Sequence, residues 1–266
     1  MRSPITSDAM IHDRFAYSDE QHAQYLRDGY LIFDAFLTDA CVARCRQECE
    51  RMIAQLQFGR PPETMISAHQ QESWIFDLAC APPLLDMVEK QIGPNIVLWS
   101  THMLCKAPRT GQFVPWHQDA PYWNTKGNFG AGVWIPFDDI AEDNGAMAVL
   151  PGWHTKGTLP RRDSGLDGFN EEIDPSALPD DPDALKVPYL LRAGQAAIHH
   201  VMMPHCSPAN RSTRWRRVLV LRYVAAGGEF GQKTYADYRT GQPFERQYIL
   251  VRGEDVAQQG LRRTPL

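Results

Sequence analysis

The chain has 266 residues, 43% hydrophobic and 22% charged, which suits one large β-rich domain or two smaller ones with a real core. Its formal net charge is -5 with no basic block, so nucleic acid and anionic membrane surfaces have no electrostatic support as partners. No run approaches the roughly 18 apolar residues of a membrane span, and residues 1–19 lack the apolar core of a secretory signal.

Residues 1–17 read as a loose leader. Ser18 and Gln21 then form a capping box before a short helix, and Gly29 is placed to end it. Residues 30–36 read as a strand. Thr38 caps a second helix running to about Leu56, with Cys41, Val42, Cys45, Cys49, Met52 and Ile53 on one stripe. The cysteine spacing there fits small apolar residues on a buried face better than a metal cluster. Six cysteines in this length make no disulfide scaffold, so a reduced, cytoplasmic protein is expected. Residues 72–92 give one or two further helices, divided by Pro82 and Pro83 and closed by Gly93. Beyond Pro94 come short β-rich runs at 95–106, 131–137, 146–150, 187–191, 196–201 and 216–224, separated by turn residues such as Asp143-Asn144-Gly145. Residues 161–182 are acidic and aperiodic, and are expected to be a long loop or lid. The order of elements predicts an α+β chain, mainly β: a jelly roll buttressed by N-terminal helices.

The chemical signal centres on Trp116-His117-Gln118-Asp119. A His and an Asp two apart lie on one side of an extended chain and reach the same ion. Pro204-His205-Cys206-Ser207 offers a third ligand. Two imidazoles and a carboxylate on one face leave the opposite positions open, the arrangement of non-haem iron(II) oxygenases. Arg216 opens the β run RRVLVLRYV, and an inward guanidinium there needs a fixed anion. The distal carboxylate of 2-oxoglutarate would meet it through a two-pronged bond, with Ser207 as a second donor. Arg216 and Arg217 point to opposite faces, and Arg216 shares its side with Val218, Val220 and Arg222. His199 or His200 remains an alternative to His205, although at most one of the two faces the pocket. Lys106 is either a solvated charge or a partner of an acid or the cosubstrate.

Three stretches together resemble the phytanoyl-CoA dioxygenase-like group of 2-oxoglutarate oxygenases: Lys106-Ala107-Pro108 with WHQDAPYW (116–123), Asn144-Gly145-Ala146 leading to LPGWH (150–154), and HCSPANRSTRWRRVLVLRY (205–223). The resemblance covers about residues 29–226. It implies a double-stranded β-helix, iron on His117, Asp119 and His205, and 2-oxoglutarate held by Arg216 and Ser207 with His102 and Trp134 lining its pocket. It also implies one oxygenase domain across 1–266, with a helical buttress at 18–93, a jelly-roll core at 94–226 and a C-terminal extension at 227–266. Dioxygen and 2-oxoglutarate would be consumed, succinate and carbon dioxide released, and a small organic molecule hydroxylated. Asp119 argues against the halogenases of this group, in which Ala or Gly replaces the carboxylate. Two departures stand out: Trp153 in PGWH, where a small residue is usual, and Gln195 after Gly194, where an Asp is usual. Gln118, Tyr122, Trp123 and His200 are candidate substrate contacts. A cupin-like metal hydrolase and a non-catalytic binding or sensor protein are the rival readings. Substrate identity and oligomeric state are not legible.

Overall fold

A computed structural model describes residues 10–57, 59–110, 113–123, 130–166, 169–228, 230–231 and 233–265. Its N-terminal third is helical for local reasons. Helix α1 (Asp19–Asp28) begins where the Ser18 hydroxyl accepts from Gln21 N at 3.1 Å, while Gln21 accepts from Ser18 N at 2.9 Å. It stops at Gly29, whose φ of 78° and 2.2 Å separation between its ideal Cβ position and His154 Nδ1 admit only glycine. Strand β1 (Tyr30–Phe33) is shorter than expected, ending before the turn into α2 (Asp39–Ala54). The α2 stripe buries Cys41, Cys45, Cys49 and Met52 as apolar packing, and Cys49 Sγ lies 3.6 Å from Cys105 Sγ with both thiols free. Short strand β2 (Met65–Ile66) precedes α3 (Ser73–Ala79) and α4 (Pro82–Ile92). Pro82 and Pro83 occupy the first turn of α4, where a missing N–H costs nothing.

The remaining elements are β3 (Ile96–Met103), β4 (Val114–His117), one turn of helix α5 (Ala120–Trp123), β5 (Gly130–Pro136), β6 (Ala148–Val149), β7 (Arg161–Leu166), β8 (Phe169–Ile173), α6 (Pro182–Leu185), β9 (Val187–Pro188), β10 (Ala196–His200), β11 (His205–Ser207), β12 (Val218–Ala225), β13 (Thr234–Ala236), β14 (Pro243–Glu245) and β15 (Ile249–Arg252). The large antiparallel sheet runs β1-β10-β5-β12-β3-β15, with β2 beside β3; the small one runs β4-β11-β6-β9. This is a jelly roll with two open sheets. Alternation along each strand divides the core. Ile198, Val133, Ile135, Leu219 and Leu221 pack outward against the helices. Ala197, Trp134, Val218 and Val220 face inward toward Val149, Tyr189 and Met203.

Two expectations are corrected. Residues 161–182 are not a structureless loop: β7 and β8 pair as a hairpin, followed by short helical turns. The sequence offered one signal for it, the dipeptide Asp-Gly at 167–168, which is common in hairpin loops and which the acidic composition obscured. The segment after 226 is not a mere appendage either, because β15 completes the large sheet by pairing with β3.

The same alternation separates the two adjacent arginines. Arg217 turns to the outer face, where Asp138 grips its Nε and Nη2 at 2.8 Å each and Glu50 accepts from Nη1 at 2.5 Å. Asp138→Ala would leave this mostly buried guanidinium with only an exposed acid. A loss of ~3 kcal/mol of stability is expected, read from urea unfolding midpoints.

Candidate metal and cosubstrate site

His117 ends β4 and His205 begins β11, and the two are direct partners across the small sheet. Their rings sit with centroids 3.9 Å apart. Asp119 follows two residues beyond the end of the strand. Metal-binding atoms of His117, Asp119 and His205 all lie within 4.8 Å of one another, and all three residues are buried. Each imidazole is oriented alike: Nδ1–H donates to the carbonyl two residues earlier, Pro115 O for His117 and Met203 O for His205, each at 2.9 Å. That tautomer puts the lone pair on Nε2, the atom left to face an ion. Burial, with the neighbouring His205, pushes the His117 pKa down to about 3, and burial lowers that of His205. Asp119 is held below the usual carboxylate range by Arg222 and the histidines, against the opposing effect of its burial. All three are therefore in their metal-binding protonation states at neutral pH without any ion.

A second group lies across the inner face. Arg216, 2% exposed, donates from Nη1 to Gly145 O at 2.7 Å and to Ser207 Oγ at 2.8 Å, while its Nε has no partner. Lys106, 1% exposed, donates to Ser207 Oγ at 2.9 Å and to Pro208 O at 2.6 Å. The Asp143-Asn144-Gly145 turn presents that Gly145 carbonyl; Gly145 has φ 89°, and a Cβ there would meet Pro208 O at 2.7 Å. Burial pushes the Arg216 pKa down to about 10, and burial with adjacent Arg216 takes Lys106 down to about 6. Two buried basic groups thus converge on one hydroxyl, and among the described residues neither has a carboxylate partner. Such groups are costly unless an anion joins them. Nearby, Trp134 Nε1, Tyr189 Oη and His199 Nδ1 are buried with no hydrogen-bond partner. A polar, oxygen-rich cosubstrate fits this wall.

The remaining candidates are held in different ways. His102, beside Val220 on β3, uses Nε2 to donate to Glu63 O at 2.6 Å and feels the charges of Arg222 and Asp119. Gln118 is corrected from substrate contact to brace: its amide donates to Gly157 O and Met202 O and accepts from Leu159 N. Trp123 is corrected likewise, stacking on Trp99 at 4.9 Å within the core. His200 points away, its ring 5.3 Å from that of His154, and strand alternation turns His199 inward, 5.0 Å from the His205 ring. The Tyr122 side chain lies outside the described residues. His154, through Nε2, donates to Leu26 O and ties the PGWH turn to α1. Trp153 stands beside it with Lys156 Nζ 3.9 Å from its ring centroid. Gln195, where an Asp is usual, accepts from Arg192 N. Sequence reasoning missed Phe169, whose ring meets His117 edge-on at 4.6 Å; the hairpin, not an open loop, delivers it.

The fold, the His-Asp-His donor set and the protein's relatives together define an iron- and 2-oxoglutarate-dependent oxygenase. The chain belongs to the phytanoyl-CoA dioxygenase (PhyH) family, whose model matches residues 25–218. It is 27% identical over 239 residues to the peroxisomal phytanoyl-CoA dioxygenase of Rattus norvegicus, covering 79% of this chain and 69% of that one. It is 26% identical over 229 residues to L-proline trans-4-hydroxylase of Streptomyces griseoviridis, covering 75% and 84% respectively. Among solved structures, the apo form of the non-heme monooxygenase ThoJ superposes with a TM-score of 0.73 at 27% identity, over 91% of this chain and 87% of that one. Among the described residues, no helix is long and apolar enough to cross a membrane.

Proposed function

We propose that this single-domain enzyme hydroxylates a small organic molecule, with Fe(II) held by His117, Asp119 and His205. The far carboxylate of 2-oxoglutarate is held by Arg216, Ser207 and Lys106, with Trp134 and His102 lining the same wall. The observation that carries the reading is the pairing of a three-donor cluster with two buried basic side chains that have no carboxylate partner among the described residues. When bound, iron and 2-oxoglutarate supply the oxidising chemistry, with succinate and carbon dioxide as coproducts. The protein's part is placement. The carbonyls of Pro115 and Met203 fix the two imidazoles, Arg216 and Ser207 fix the cosubstrate's far end, and Phe169 shields one side of His117 from water. A hydrolase would leave the Arg216–Lys106 pair without a role, and a non-catalytic sensor would not need an open metal face. Six free cysteines favour a reducing, cytoplasmic location, and the acidic net charge favours neither nucleic acid nor membrane.

The test is anaerobic addition of Fe(II) and 2-oxoglutarate, expected to give a visible charge-transfer band; no band at saturating cosubstrate overturns the reading. Lys106 supplies a pH signature. With its pKa near 6 it is mainly neutral at pH 7.5, and an arriving dicarboxylate restores its charge. Binding of 2-oxoglutarate should therefore take up a proton at pH 7.5. The uptake should vanish below about pH 6, where Lys106 is already charged, and in Lys106→Met. Calorimetry in buffers of different ionisation enthalpy reads it directly.

A further inference from the structure

A second pair of arginines, Arg222 and Arg246, belongs neither to the three-donor cluster nor to the Arg216–Ser207–Lys106 group. Arg222 continues the inward row of Arg216, Val218 and Val220 on β12, and its side chain is 15% exposed. Its Nε stands 3.8 Å from Asp119 Oδ2 and has no hydrogen-bond partner. Arg246 follows β14 and is 7% exposed. Its guanidinium carbon lies 3.9 Å from the Trp99 ring centroid and 4.7 Å from that of Tyr235. It donates to the Tyr235 hydroxyl, yet its Nε and Nη1 are buried without partners. Trp99 in turn stacks on Trp123, four residues beyond Asp119, so the arginine and the two indoles form one continuous stack.

The charges belong to one cluster. Arg246 and Arg222 repel one another, Lys233 feels both, and His102 feels both together with Asp119. Among the described residues, neither arginine forms an ion pair with any acid except Asp119, the carboxylate assigned to the metal. The chain as a whole is acidic, so this cationic cluster is a local construction and not a consequence of composition. A guanidinium desolvated on an aromatic face with spare N–H donors is matched by an oxyanion, which takes two parallel bonds from its fork. A neutral acceptor would meet them with a weaker, uncharged bond, and a cation would leave them unpaired.

We propose that Arg222 and Arg246 form the substrate's anchoring subsite, and that the substrate is a small molecule bearing a carboxylate or phosphonate group. This rests on the oxygenase reading of the metal site. Arg246 fixes the anionic end against Trp99, and Arg222 takes its near side beside Asp119. The carbon to be oxidised is thereby directed toward the three-donor cluster.

Binding of simple probes tests this without knowledge of the substrate. Acetate and methylphosphonate, with acetamide as the neutral twin, are titrated into the anaerobic Fe(II)–2-oxoglutarate complex and into the metal-free protein. Tryptophan fluorescence from Trp99 and Trp123 is the readout. Both oxyanions should bind at least about 10-fold more tightly than acetamide, and Arg246→Gln should remove that advantage while the charge-transfer band persists. Arg246→Lys, which keeps the charge without the fork, should fall between; it also serves if the glutamine variant folds poorly. Equal affinity for acetate and acetamide, or oxyanion binding untouched by either variant, overturns the proposal. A missing charge-transfer band with intact oxyanion binding to the metal-free protein would defeat the cofactor reading and leave the subsite standing.

Discussion

Alanine at His117 or at His205 is expected to lower Fe(II) affinity by more than about 100-fold, beyond what loss of a supporting partner alone costs a metal site. Turnover of 2-oxoglutarate should be lost with it. The magnitude follows from geometry. The cluster offers three donors, all already in ligand form, because burial keeps both imidazoles neutral and Arg222 keeps Asp119 ionised. No described fourth His, Cys, Asp or Glu joins the cluster to replace a deleted ligand. His199 is close, at 5.0 Å between ring centroids from His205, yet it is not among the converging donors. Anaerobic titration with Fe(II), and calorimetry with Co(II) as a non-oxidising substitute, give the affinity. A variant that retains the charge-transfer band would remove that residue from the ligand set.

Arg216→Met should produce two effects of opposite sign. Binding of 2-oxoglutarate should weaken by ~2–5 kcal/mol, the usual cost of deleting one partner from a buried charged pair. The ligand-free protein should be as stable as wild type or more so, since a desolvated guanidinium without a counterion is replaced by an apolar chain of similar length. Thermal unfolding with and without 2-oxoglutarate separates the two. A destabilised ligand-free protein would mean that the bonds to Gly145 O and Ser207 Oγ hold the fold together in their own right, and that the cation is structural.

Much of this was legible in the chain because the decisive signals are local and chemical. The Ser18–Gln21 box, the Gly29 stop and the α2 stripe need only neighbours in sequence. The metal donors and Arg216 were readable because residue type and strand parity restrict where such groups can point. The substrate side was not. Gln118 and Trp123 were nominated for lying beside the H-x-D motif, but proximity in sequence says nothing about which hydrogen bonds or stacking partners a fold supplies. His200 was nominated where parity alone could not choose between two neighbours; the pairing of His199 with Gly132 across β5 settles which ring turns inward. Strands β4 and β11 are four and three residues long and interrupted by proline or cysteine, too short for periodicity to register. Arg246 lies far along the chain from any motif, and only the pairing of β15 with β3 brings its neighbourhood back to Trp99.

The direct pairing of His117 with His205 makes the fidelity of one ladder rung a condition of the chemistry. Side chains alternate along a strand, so a slip of β11 by a single position would turn His205 outward and bring Cys206 to face His117. The donor set would change from two imidazoles and a carboxylate to one containing a thiolate, a soft ligand suited to zinc or copper(I). The irregularity between His205 and Ser207, together with the Lys106 bonds to Ser207 and Pro208 just beyond it, locks that rung in place. The lysine proposed to grip the cosubstrate would therefore also guard the identity of the metal.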